Sequence, residues 1–215
     1  MFDAIFWDMD GTIVDTEHLV WEVMQRAFRA AAGIDLPQQE FSRLLGRSES
    51  DFYAHMAARH SISPAGLAKV RAAYDSEYLP RLARVPTLPG AVEKVRESEQ
   101  IAPLALVTGS TATQARTVLD TLGIGPCFRE IVSCDAYSRG KPDAEPYHVA
   151  LRRLRAKPSR SLAIEDSPSG VSAALAAGLR VVGVHEGNKG RAAISHAHVE
   201  IPSLHELDFA ALARG

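Results

Sequence analysis

The 215-residue chain is short of several things, and each shortage removes a class of function. Only two cysteines occur, Cys127 and Cys134, too few and too far apart for a zinc cluster or a disulfide-built secreted scaffold. Neither sign of charge is in excess: 24 Lys and Arg face 26 Asp and Glu, a formal net of −2, and no block of like charge forms a tail or a nucleic-acid arm. No apolar run approaches the ~20 residues a membrane span needs. Met1-Phe2-Asp3 lacks a basic region and the apolar run behind it breaks at Asp8, so no secretory signal is expected. There are no internal repeats and no low-complexity segments. The expectation is a cytoplasmic protein with a small-molecule partner, without nucleic acid or membrane. The length allows one large domain or two small ones, and oligomeric state is not legible.

What is present is organised around residues 4–15. Ala4 to Trp7 reads as a short buried strand that stops at a carboxylate, Asp8. Asp10 follows, then Gly11, which lets the chain turn off the strand end. In an open parallel sheet, ligands bind beyond the carboxyl ends of the strands. Residues two apart in a continuing strand share a face, so Asp8 and Asp10 are expected to address one substrate or one metal ion.

After Asp15 the period changes. Leu19, Val20, Val23, Met24, Ala27, Phe28 and Ala31 describe an amphipathic helix ending near Gly33. Pro37 to Leu44, Ser50 to His60 and a stretch from Ser63-Pro64 towards Arg84 read as three more, with a Leu45-Gly46-Arg47-Ser48 loop between the first two. From Gly90 on, helix and strand alternate: helix to Glu99, strand Pro103 to Val107, helix Thr111 to Leu122, strand around Glu130 to Ser133. A helix near Pro146, strand Ser161 to Ile164, helix Pro168 to Ala177 and strand Arg180 to Val184 follow. Val199 to Ile201 adds an edge strand and Leu204 to Leu212 a closing helix. The expected fold is α/β, a doubly wound, mainly parallel sheet. The first strand must join that sheet, yet its next partner begins only at Pro103, farther than an ordinary crossover needs. Residues 16–85 are therefore expected to be a helical cap inserted into a core made of 1–15 and 86–215.

The strand ends collect Asp8 and Asp10, Thr108 beside Gly109, and Glu165 with Asp166; the turn-rich Arg139-Gly140-Lys141-Pro142-Asp143 loop adds an ammonium. Phosphoryl transfer asks for such a set. A carboxylate attacks phosphorus covalently, cationic and hydrogen-bonding groups hold the equatorial oxygens, and a hard dication on oxygen ligands separates nucleophile from phosphate.

Asp8-Met9-Asp10-Gly11-Thr12 resembles the first motif of the haloacid dehalogenase superfamily, mostly magnesium-dependent phosphatases and phosphomutases. Thr108-Gly109-Ser110 resembles its second, Gly140-Lys141-Pro142 its third, and Glu165-Asp166-Ser167-Pro168-Ser169-Gly170 its acidic fourth, in family order across almost the whole chain. The resemblance implies a Rossmann-like core with a helical cap over the site. It makes Asp8 the nucleophile, Asp10 the general acid and base, Thr108 a phosphate-binding hydroxyl and Lys141 the neutralising cation. It gives Mg²⁺ to Asp8, the Asp10 backbone carbonyl and Asp166, with Glu165 a further direct or water-mediated ligand. Glu17, Gly46 and Arg47 are expected to face the leaving group, and Thr108 and Gly109 the phosphate.

Hydrolysis of a small phosphorylated metabolite, such as a sugar phosphate, through an aspartyl-phosphate is the leading expectation. A β-phosphoglucomutase-like enzyme is the alternative. Relatives of that kind place an arginine in the cap loop and a histidine in the first cap helix, where this chain has Glu49 and Val20, although Arg47 offers a substitute. A phosphonate-cleaving relative needs a cap lysine for a Schiff base, and only Lys69 is present there. An aspartate-phosphorylated receiver module is the remote alternative; receivers lack the inserted helices and usually the second acid. His196 and His198 read as a surface pair, His18 as either a substrate contact beside the hinge or a solvated first-turn residue, and Trp21 and Phe28 as cap core. Gly123-Ile124-Gly125 lacks the third glycine of a dinucleotide fingerprint.

Overall fold

The computed structural model describes residues 1–44, 49–187 and 194–214, without the side chains of residues 42–44, 49 and 50. The loop residues Gly46 and Arg47 lie outside the described residues. Strand β1 (Ala4–Trp7) is followed by four helices, α1 (Glu17–Ala32), α2 (Gln38–Leu44), α3 (Glu49–His60) and α4 (Pro64–Leu82). Next come α5 (Ala91–Glu99), β2 (Leu104–Val107), α6 (Ala112–Thr121), β3 (Phe128–Val132) and α7 (Glu145–Leu154). The chain continues as β4 (Ser161–Glu165), α8 (Pro168–Ala176), β5 (Arg180–Val184), β6 (Val199–Ile201) and α9 (Phe209–Arg214). No described helix is long and apolar enough to cross a membrane.

Local chemistry explains most boundaries. Gly33 closes α1 in the left-handed region at φ 68°, its N–H returning to the Arg29 and Phe28 carbonyls. The Ser63 side chain accepts from Gly66 N–H, and Pro64 fills a first-turn position that needs no donor. Thr111 and Gln114 form a reciprocal capping box that opens α6. The carboxyl end departs from the expected single helix over Leu204 to Leu212. A short 3₁₀ turn covers Leu204–Glu206, and α9 restarts at Phe209 because the Asp208 carboxylate accepts from Ala210 and Ala211 N–H. Strand β3 also begins at Phe128, two residues before the expected Glu130.

All strands of the sheet are parallel, in the order β3-β2-β1-β4-β5-β6. The first strand therefore lies in the middle, with Trp7 in register with Leu106 on one side and Ile164 on the other. Strand order reverses there, and ligands bind at such a point. Both faces are covered, so the central strands are apolar throughout rather than alternating. Ala4, Phe6, Ala105 and Ala163 face residues of α7 and α8, among them Tyr147, Ala150 and Val171. Ile5, Trp7, Leu106 and Ile164 belong to a second cluster that runs on through Met9 and Ile13 to Val23, Phe28, Met56 and Tyr78 of the inserted helices. Trp7 keeps its buried indole N–H satisfied on Ser98 Oγ at 3.1 Å.

Candidate active site

The site is built on a turn rather than on an extended strand. Beyond Trp7 the Met9 carbonyl gathers three N–H groups, those of Thr12 (3.3 Å), Ile13 (2.8 Å) and Val14 (3.1 Å). Gly11 sits at φ 85°, and a Cβ there would come within 2.1 Å of Asp166 Oδ2. Only glycine meets both demands. This corrects the expectation of a shared strand face: Asp8 and Asp10 enter the same site through the turn and address different partners.

Asp8 accepts from Thr12 Oγ1 at 3.1 Å and from Lys141 Nζ at 2.7 Å. Asp10 is held by hydroxyls instead, from Thr16 (2.9 Å) on one oxygen and from Ser110 (2.8 Å) and Thr108 (3.2 Å) on the other. Burial, with the neighbouring Asp8 charge, raises the Asp10 carboxyl above its usual range, and the three hydroxyls oppose that rise. Lys141 comes from the loop between β3 and α7. Its remaining contacts are the Val107 carbonyl at 2.9 Å and Glu165 Oε1 at 2.5 Å, so three acceptors surround an ammonium with three donors. Burial works against that charge, but Asp8 and Glu165 outweigh it and hold the ammonium well above its ordinary range. Glu165 Oε1 also accepts from Tyr147 at 2.6 Å. Burial lifts the Glu165 carboxyl to about 7 against the opposing pull of Lys141.

One oxygen each of Asp8, Glu165 and Asp166 lie within 4.8 Å of one another, all buried. These hard donors suit a hard divalent cation. The charge balance agrees, since among the described residues three buried carboxylates, Asp8, Glu165 and Asp166, share one buried ammonium, that of Lys141, which touches Asp8 and Glu165. Buried anions in that excess call for further positive charge. The Asp10 side chain stands outside the trio, engaged by its hydroxyls. Thr108 is fully buried, and the Gly109 position borders open space. Glu17 is half-buried in the first turn of α1.

The family profile of the haloacid dehalogenase-like hydrolases matches residues 5–184. The chain belongs to the haloacid dehalogenase-like hydrolases. Phosphatase recurs in the names of relatives of this hydrolase. One, validoxylamine A 7'-phosphate phosphatase of Streptomyces hygroscopicus subsp. limoneus, is 34% identical over 188 residues, 86% of each chain. Rhodobacter sphaeroides CbbY, solved with xylulose-(1,5)-bisphosphate, superposes with a TM-score of 0.86 at 26% identity over 96% of each chain. A β-phosphoglucomutase from Clostridium difficile shares the fold with a TM-score of 0.87 over 100% of this chain and 96% of its own, at 22% identity.

Several site residues carried no assigned role in the sequence. Thr12 and Ser110 lie inside the first and second motifs and Thr16 just beyond the first, but their hydroxyls look like turn and cap chemistry in a linear chain. Tyr147 falls in the apolar pattern of α7 with Ala150 and Leu151, and reads as core. The histidine pair serves two unrelated places: His196 meets Ser172 Oγ at 3.1 Å, and His198 Nδ1 accepts from Val181 N–H at 3.1 Å.

Proposed function

We propose that the protein is a magnesium-dependent phosphatase that hydrolyses a small phosphorylated sugar, or a similar monoester, through an aspartyl-phosphate on Asp8. The observation that carries this reading is Lys141, whose ammonium bridges Asp8 and Glu165 at the reversal point of the sheet, beside an Asp10 held by hydroxyls. An Asp8 oxygen attacks phosphorus, the bond from phosphorus to the ester oxygen breaks, and Asp10 gives that oxygen its proton. Asp10 then takes a proton from water, whose oxygen attacks the same phosphorus. The bond to Asp8 breaks and inorganic phosphate leaves. Lys141 balances the charge of Asp8 and the entering phosphate, and the Thr108 hydroxyl with the Gly109 backbone supplies donors to its oxygens.

Asp8, the Asp10 carbonyl and Asp166, with Glu165, would hold Mg²⁺, which when bound screens nucleophile and phosphate from each other. Residues 16–85 act as a cap on the core formed by 1–15 and 86–215. Glu17, Gly46 and Arg47 select the leaving group from the cap side. The sugar-phosphate class follows from the relatives, one named for a 7'-phosphate and another solved with a sugar bisphosphate. A cytoplasmic metabolic role goes with that class. The mutase alternative has neighbours at 22% and 25% identity, while the relatives named for phosphatases favour hydrolysis.

Acid quenching during turnover should trap the phosphoryl group on Asp8, located by mass spectrometry, and a chelator should silence the enzyme until Mg²⁺ is returned. Label on serine or histidine would end this mechanism.

A further inference from the structure

Tyr147 is wholly buried in α7, and its ring meets Phe6 edge-on at 6.2 Å between centroids. That contact needs only a phenyl group. The hydroxyl is extra, and burying a phenol costs free energy unless it finds a partner. Its partner is Glu165 Oε1, at 2.6 Å. The same oxygen receives Lys141 Nζ at 2.5 Å, and that ammonium lies 5.5 Å from the centre of the Tyr147 ring. On the far side of the carboxylate, a Cβ at Gly170 would fall 1.9 Å from Glu165 Oε2, so the start of α8 presses against it. Glu165 is thus confined by a phenol, an ammonium and a backbone that tolerates no side chain.

We infer that Tyr147 is a positioning residue: its hydroxyl fixes the Glu165 carboxylate, and thereby both the Lys141–Asp8 contact and the acid trio that takes the cation. The inference rests on the phosphatase reading above. Tyr147 is wholly buried and its hydroxyl is on Glu165 Oε1, so it acts through Glu165 rather than on the reacting atoms. Short hydrogen bonds to an ionised carboxylate are about twice as strong as neutral ones. Partners that orient a metal ligand from behind typically change metal affinity or activity by about 10–100-fold when removed.

The test compares Tyr147→Phe, which keeps the ring, with Tyr147→Leu, which removes it. Mg²⁺ binding to the substrate-free protein, measured by titration calorimetry, is the readout that needs no turnover. Tyr147→Phe should keep the fold by circular dichroism, weaken Mg²⁺ binding about tenfold or more, and lower kcat while leaving KM for an aryl phosphate nearly unchanged. In a Glu165→Gln background the same change should cost little further, because the hydroxyl acts through that carboxylate. Wild-type Mg²⁺ affinity and kcat in Tyr147→Phe, with losses confined to Tyr147→Leu, would assign the role to the ring and overturn the inference. So would a Tyr147→Phe protein that fails to fold. A wild-type protein that neither binds Mg²⁺ nor hydrolyses any phosphate ester would overturn the phosphatase reading itself.

Discussion

The rim of the sheet and the inserted helices spend their charges in opposite ways. At the rim, Lys141 is 8% exposed and Glu165 0%, and both are held by two or more partners. On the insert, Glu22, Arg26, Glu77 and Arg81 form a ring of ion pairs across α1 and α4, with side chains between 31% and 54% exposed. Water screens such pairs, and they typically contribute only ~0–1 kcal/mol. The insert is held instead by apolar and aromatic packing, with Phe28 near Phe52 and Tyr53, and Tyr74 stacked on Tyr78 at 4.7 Å. Polar residues on its surface are thus expected to matter little to the fold, whereas breaking the buried Lys141 pairs at the rim is expected to cost stability. A region built in the first way suits selection among substrates; one built in the second suits chemistry that is the same for all of them.

The sharpest break in this contrast is Lys141→Met. Asp8 and Glu165 would face each other without their common cation, and removing one partner of a buried pair typically costs about 3–5 kcal/mol. A denaturant melt should show that loss, and turnover should fall to background. A loss below about 1 kcal/mol would place this pair with the screened ones of the insert.

Asp10→Asn should come next. Its amide keeps the shape but cannot shuttle a proton, so kcat should drop by roughly 10²–10⁴-fold with the melting curve little changed. An unchanged kcat would remove Asp10 from the chemistry.

Arg47→Ala asks whether the insert selects. KM for a natural sugar phosphate should rise, with a smaller loss on a small aryl phosphate that does not reach the cap. Equal impairment of both substrates would move Arg47 from recognition into catalysis or folding.

Arg26→Gln should do least. It opens one corner of the exposed ring, and its expected cost is under about 1 kcal/mol, with kcat and KM unchanged and the difference shrinking in high salt. A large, salt-independent loss would mean that the ring locks the insert as the rim locks the site.

Much of this was legible in the chain itself. Strand and helix follow from period and capping, as at Ser63-Pro64 and Gly33, because those signals act over a few residues. The fold class follows from their alternation, and the family from four short motifs, three at strand ends and one in the loop before α7. Asp8, Glu165 and Asp166 stand out because nothing in folding alone asks for a carboxylate where an apolar strand stops; Thr108 and Lys141 were legible only as members of the motifs. What the linear order could not decide is which of these groups touch. The hydrogen bond from Ser110 to Asp10 joins residues 100 apart, and that from Lys141 to Asp8 joins residues 133 apart. Both depend on β1 lying between β2 and β4. Tyr147 carried no signal at all, since one buried ring in a helix looks like another until its hydroxyl finds Glu165. Local backbone preferences are written residue by residue, but a buried charge chooses its partner only when packing has removed the water that would otherwise solvate it.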